Sequence, residues 1–158
     1  MPNYTTNAFT ASATFTPAAA SHTNGDSVGV SAEFVLKDSR GGTPQAGSTV
    51  LITSASLRID GATIETTAWR LHMFSVTPPS ALADDAAFLL ASGDRASYLG
   101  YIDLSQVVDL GDSLYIEMSN IQKQMTLTGT SFFGYLVNGT TLTPQAVAHT
   151  VTVRCIGV

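Results

Sequence analysis

Val28-Gly-Val-Ser-Ala-Glu-Phe-Val-Leu-Lys37 decides the fold class of this chain. Val28, Val30, Ala32, Phe34 and Leu36 alternate with Gly29, Ser31, Glu33, Val35 and Lys37. This two-residue period is that of a strand with one dry face. Upstream, Phe9, Ala11, Ala13 and Phe15 alternate with Thr10, Ser12, Thr14 and Thr16. Downstream, the pattern sets Leu51, Ala55, Leu57 and Ile59 against Ile52, Ser54, Ser56, Arg58 and Asp60. Such runs so close together indicate antiparallel sheet with one wet face. The segments between them carry turn chemistry. Asn24-Gly25-Asp26 separates the first two runs, and Asp60-Gly61 reads as a hairpin turn leading into Thr63–Thr66. Lys37–Ser48, with Arg40-Gly-Gly-Thr-Pro44, reads as a long loop.

The second half continues in the same vein. Trp69–Val76 reads as a strand with Trp69, Leu71 and Met73 inward, and it breaks at Thr77-Pro78-Pro79. Ser80–Leu90 has helical tendency, which gives one short helical excursion near residues 80–97, closed by a Ser92–Arg95 turn. Strand character returns at Tyr98–Leu104, at Ser113–Ser119 and at Phe132–Asn138. A last run, Val147–Ile156, places Val147, Val151, Val153 and Cys155 inward. Regularly spaced short strands without a long helix predict an all-β fold, an antiparallel β-sandwich of jelly-roll-like form. Residues 1–158 are expected to form a single domain, with residues 1–8 an N-terminal arm.

Composition narrows the function classes. Charged residues make up 12% of the chain, about half the share of a typical soluble domain. Thr, Ser, Asn, Gln and Gly must therefore build much of the surface, and a weakly charged surface favours association with other protein. The net charge of −5 and the scattered Lys37, Arg40, Arg58, Arg70, Arg95, Lys123 and Arg154 argue against nucleic acid. The lone Cys155 leaves no disulfide framework and reads as a small core residue. Met1-Pro-Asn-Tyr-Thr-Thr has neither a basic nor an apolar leader region, so no export signal is expected. No apolar run reaches the roughly 18 residues that span a bilayer, so no membrane is expected as a partner.

No residue pattern is spaced for catalysis. His22, His72 and His149 lack metal-type partners at short spacing. His72 shares the polar side of its strand with Arg70, which suits a solvated or hydrogen-bonded role. Asp84-Asp85 reads as a helix-capping pair, and Asp109 and Asp112 as turn caps on their own backbone. No nucleophile elbow, P-loop or zincin motif occurs. Catalytic residues, cofactors and metal ligands are accordingly expected to be none. Trp69 reads as a buried anchor. The Asp94-Arg95 pair reads as a pin for its loop or as a reach toward a partner chain.

Four segments stand out together: Trp69-Arg-Leu-His-Met-Phe74, Thr77-Pro-Pro-Ser-Ala-Leu-Ala-Asp-Asp-Ala-Ala-Phe88, Gly93-Asp-Arg-Ala-Ser-Tyr-Leu-Gly-Tyr-Ile102 and Tyr135-Leu-Val-Asn-Gly-Thr-Thr-Leu-Thr-Pro144. In these the chain resembles the small decoration, or cement, proteins of tailed-bacteriophage capsids. The resemblance covers about half the chain. It implies a β-sandwich on the capsid surface of a virion, assembled in the bacterial host cytoplasm. Such a protein binds the major capsid protein lattice, self-associates as a dimer or trimer, and braces the head against internal pressure. It carries over no catalytic residue.

The expected contacting parts are Asn3 and Tyr4 of the arm, and Pro78, Pro79, Phe88 and Arg95 of the excursion. A receptor- or carbohydrate-binding module of a phage tail or fibre is the alternative. An enzyme is a distant third; it would require a cleft gathering His22, His72 or Asp112.

Overall fold

The computed structural model describes residues 7–158, which form two packed antiparallel sheets. The strands are β1 (Ala8–Phe15), β2 (Ser27–Val35), β3 (Thr49–Ile59), β4 (Ala68–Phe74), β5 (Tyr98–Gln106), β6 (Val108–Asp109), β7 (Leu114–Thr126), β8 (Ser131–Asn138) and β9 (His149–Gly157). One sheet has the order β1-β9-β3-β7-β6 and the other β2-β8-β4-β5. The pairing scheme is that of a single long hairpin rolled on itself. β1 pairs β9, β2 pairs β8, β3 pairs β7 and β4 pairs β5, all antiparallel. Lateral pairs β3–β9 and β4–β8 then complete the two sheets. This is the jelly roll that the strand spacing predicts.

Alternation fills the space between the sheets. Phe15, Phe34, Ile52, Leu57, Ile59, Trp69, Leu71, Met73 and Phe132 are all fully buried. Each such side chain contributes roughly 1.5–3 kcal/mol relative to an exposed position. Phe34 and Phe132 are register partners, and their rings stack with centroids 4.6 Å apart. Cys155 is 2% exposed within this core, and burial pushes its thiol up to about 11. It is packing, not chemistry.

Two bulges correct the simple two-residue reading. In β3, Ile52 pairs Cys155 and Ser54 pairs Arg154, so Thr53 is an extra residue against β9. The extra residue reverses the phase. Val50 and Ile52 therefore share the core face with Ala55, Leu57 and Ile59, and Leu51 lies on the opposite side. In β2 the register shifts between Val28 and Ala32, and Val30 is turned out, 62% exposed.

Gly29 makes the second bulge possible. Its φ is +74°, and a Cβ there would lie 3.2 Å from Phe15 Cβ and from the Thr16 amide nitrogen. Gly29→Ala is expected to cost about 1–3 kcal/mol from left-handed strain and crowding against β1. Urea unfolding checks it, and an unchanged midpoint would mean that the bulge relaxes freely.

The excursion is the largest departure from expectation. Ser80–Leu90 contains no helix. It runs extended on either side of a tight turn at Asp84–Asp85, with Leu82, Asp84, Ala86, Phe88 and Leu90 half-buried and the residues between them exposed. Two features of the tertiary fold favour the extended form. β8 is apolar on both sides: Phe132 and Leu136 enter the inter-sheet core, while Tyr135 and Val137 are buried on the other face. That second face needs a cover, and Leu82, Phe88 and Leu90 pack there with Phe74 and Phe133. The edge of β2 also offers free backbone groups. Ser27 N donates to Ala86 O, Asp85 N to Ser27 O and Phe88 N to Gly25 O. These bonds reward an extended chain and would be lost in a helix.

Two smaller expectations also change. Thr63–Thr66 is not a strand; it belongs to a connection that crosses from one sheet to the other. The seventh strand runs to Thr126, well past Ser119.

Candidate functional site

The two outer faces of the sandwich differ in kind. The excursion lies over the four-stranded sheet. The outer face of the five-stranded sheet is lined by hydroxyls. Register places Ser12, Thr152, Ser56 and Glu117 in one row across β1, β9, β3 and β7. Thr10, Arg154, Ser54 and Ser119 form the next. Hydroxyls bond across strands, Ser12 Oγ to Thr152 Oγ1 at 2.8 Å and Thr14 Oγ1 to Thr150 Oγ1 at 3.1 Å. The arginines here are neutralised, Arg154 by Glu117 at 3.1 Å and Arg58 by Asp60 at 2.8 Å. The result is a broad, largely polar face whose charges are paired, with Ala8, Ile156 and Leu51 forming an apolar row at one end. Its signal in the sequence is Thr10, Ser12 and Thr14 of the first strand and Thr150 and Thr152 of the last.

Beneath the excursion, the outer side of β4 and β5 carries an aromatic cluster around His72. The imidazole lies 3.9 Å from the Phe88 ring and 5.3 Å from that of Tyr101, centroid to centroid. Its Nδ1 is 2.9 Å from the Tyr98 hydroxyl. Burial, then the neighbouring Arg70 charge, lowers the His72 pKa to about 4, against a weaker opposing pull from Asp103. The ring is neutral at physiological pH and serves as a hydrogen-bonded packing element.

Four of the six residues expected at a partner contact are described. Pro79 and Arg95 are exposed, Pro78 is buried, and Phe88 is half-buried against His72. No hydrogen bond, ion pair or aromatic contact joins any two of the four. Asn3 and Tyr4 lie outside the described residues. The loop is pinned by Asp94 rather than by Arg95: Asp94 is 3% exposed and its carboxylate accepts from Ser80 N at 3.2 Å. Asp109 caps its own turn, accepting from Gly111 N at 2.7 Å.

Two His–carboxylate pairs escape sequence reading altogether, because their partners lie far apart in the chain. His22 Nδ1 is 3.0 Å from Ala20 O, and Nε2 is 2.9 Å from Asp84 Oδ1. The same Asp84 carboxylate accepts from Ala18 N and Gly29 N, both at 2.7 Å. Asp84 thus caps no helix; it ties the β1–β2 connection and the β2 bulge to the excursion. Burial opposes the charged forms of both partners. For His22 the bonds to Asp84 and Ala20 outweigh burial, and the net shift is upward. For Asp84 the Ala18, His22 and Gly29 donors outweigh it, and the net shift is downward.

The second pair repeats the geometry. His149 Nδ1 faces Val147 O and Nε2 faces Glu65 Oε2, each at 3.0 Å, while Glu65 Oε1 accepts from Gln145 N at 2.9 Å. Their side chains are 0% and 2% exposed. Chemically each pair could pass a proton, but neither imidazole reaches solvent where a substrate could meet it. Both fasten loops to strands.

Among the described residues no group of three or more His, Cys, Asp and Glu is placed to hold a metal ion. None of their helices is long and apolar enough to cross a membrane. No protein-family model matches the chain, and no curated protein matches it in sequence.

Proposed function

We propose that this protein is a non-enzymatic virion structural protein that binds the major capsid protein lattice and stabilises the head. The observation that carries this reading is the outer face of the five-stranded sheet, broad, rich in hydroxyls and with its arginines paired. Desolvating hydroxyls that can re-bond to a partner costs far less than desolvating unpaired charge. A surface of this kind suits a large contact repeated over many copies, where modest individual affinity is multiplied by a fixed lattice. The resemblance of Trp69–Leu104 and Tyr135–Pro144 to decoration proteins supports the same assignment, as does the jelly roll, a fold common among capsid proteins.

The test places positive charge at both sides of that face. Ser12→Lys with Thr126→Lys, both at exposed positions, is expected to weaken co-sedimentation with stripped particles at least about ten-fold. The unfolding midpoint should remain unchanged. Unaltered attachment would remove this face from the interface. If stripped and replete particles rupture at the same temperature, the bracing role fails. A second reading, a carbohydrate-binding module of a tail or fibre, draws on the exposed Tyr101, 47% accessible beside a groove of mixed polar and apolar lining. Glycan binding without any affinity for capsids would favour it.

A further inference from the structure

The edges of β5 and β7 enclose a groove of about 350 Å³, lined among others by Tyr101, Asp103, Asn120, Gln122 and Lys123. We propose that this groove binds a carboxylate-bearing saccharide. Tyr101 is the stacking platform, Lys123 the counter-ion of the acid, and Asn120, Gln122 and Asp103 the partners of the sugar hydroxyls. The site lies on the seam between the sheets and does not depend on lattice binding.

Backbone strain concentrates here. The described non-glycine residues with positive φ are Asp85, Ser105, Asn120 and Gln122, and the last three lie on β5 or β7. Asn120 and Gln122, at 58° and 55°, fall where β7 carries extra residues against β3, between the pairs Ser54–Ser119 and Ile52–Lys123. A strand that merely completes a sheet has no need of two kinks one residue apart. Kinks that re-aim side chains into a groove are typical of binding positions.

Lys123 is the second observation. It is half-buried, and no carboxylate lies within ion-pair distance of it among the described residues. Its Nζ lies 2.5 Å from the place a Cβ on residue 100 would take, so Gly100, at φ +92°, makes room for the ammonium. Asp103 lines the same groove, but its charge is held by Arg70 at 2.8 Å. The groove therefore presents one uncompensated positive charge, which selects an anion.

Tyr101 turns the preference from an anion to an acidic sugar. Its ring packs against two residues of the neighbouring strand β4, Arg70 at 5.5 Å from the centroid and His72 at 5.3 Å. It remains 47% exposed. A rigid, half-exposed aromatic face suits the apolar face of a pyranose. Side-chain amides beside it offer paired donors and acceptors, the complement of neighbouring hydroxyls. The groove has the size of one or two sugar rings.

The test is an NMR titration of the full chain with digalacturonate, diglucuronate and sialyllactose. Lactose and inorganic sulfate are the controls. The expected result is that at least one acidic sugar shifts the Tyr101, Asn120 and Lys123 resonances, while lactose binds at least ten-fold more weakly. Lys123→Met, which keeps the stem and removes the charge, should weaken the acidic sugar at least ten-fold, and Lys123→Arg should restore it. Tyr101→Ala should abolish binding to the sugar. Equal affinity for lactose overturns the acid preference. Equal affinity for sulfate, insensitive to Tyr101→Ala, reduces the groove to an anion site. Shifts confined to other residues, or none with any of the sugars, overturn the proposal outright.

Discussion

Glu65→Ala is expected to destabilise the protein by about 3–5 kcal/mol, the usual cost of breaking a fully buried pair by removing one partner. The carboxylate is 2% exposed and serves two donors at once, His149 Nε2 and Gln145 N. Its loss leaves both without a partner in a region closed to water. The imidazole cannot turn away, because its Nδ1 faces Val147 O and its ring packs edge-on to Trp69 at 5.5 Å. Glu65→Gln retains the shape and one acceptor, so a smaller loss of about 1–3 kcal/mol is expected. Urea unfolding of the three proteins measures the ladder. If Glu65→Ala unfolds at the wild-type midpoint, the buried pair contributes nothing and the loop is held by packing alone.

Asp84→Ala should cost about 2–4 kcal/mol, since it strands Ala18 N, Gly29 N and His22 Nε2. The expected value is lower than for Glu65 because Asp84 is 22% exposed and water can reach part of the site. This pair also carries a pH signature. His22 has its pKa raised from 6.5 on folding. Its stabilising share is thus complete below about 6.5 and is lost as pH rises through the folded value. Asp84 has its pKa lowered from 3.8. Its share is complete above about 3.8 and is lost as pH falls through the folded value. The gap in stability between wild type and Asp84→Ala should therefore be widest between roughly pH 3.8 and 6.5 and should narrow on both sides. Unfolding free energies from pH 3 to 9 provide the check. Parallel curves would mean that the latch acts through shape and not charge.

The parts of the fold visible in the sequence are those in which local pattern and tertiary demand agree. β1 alternates without interruption, and Ala11, Ala13 and Phe15 are buried as the pattern requires. Trp69, Leu71 and Met73 behave likewise in β4. The simple period fails at Thr53, where a bulge inserts one residue, and at Val30, where β2 carries two extra residues against β8, and nothing in the local composition marks either beyond Gly29. Ser80–Leu90 fails for another reason. Its apolar residues fit a helical face and a two-residue period about equally, and the uncovered side of β8 decides between them. That demand was visible: Phe132–Val137 is apolar at nearly every position, the mark of a strand covered on both faces.

The interaction surfaces were less legible. The hydroxyl plane could be anticipated as a composition, but its rows exist only because β1 lies beside β9 and β9 beside β3. The groove depends on strained residues in β7, where the sequence-based strand ends at Ser119, one position before the strain begins.

What the sequence determined alone is the class of structure: a two-residue apolar period, broken by turn residues, can bury itself only by stacking sheet on sheet. What the tertiary structure decided is every relation between distant residues. Asp84 meets His22, Glu65 meets His149, and the Lys123 ammonium fills the space left by the missing side chain of Gly100. The physical reason is range. Alternation is a property of neighbours along the chain, whereas a carboxylate finds its imidazole only after rolling the hairpin has placed them side by side.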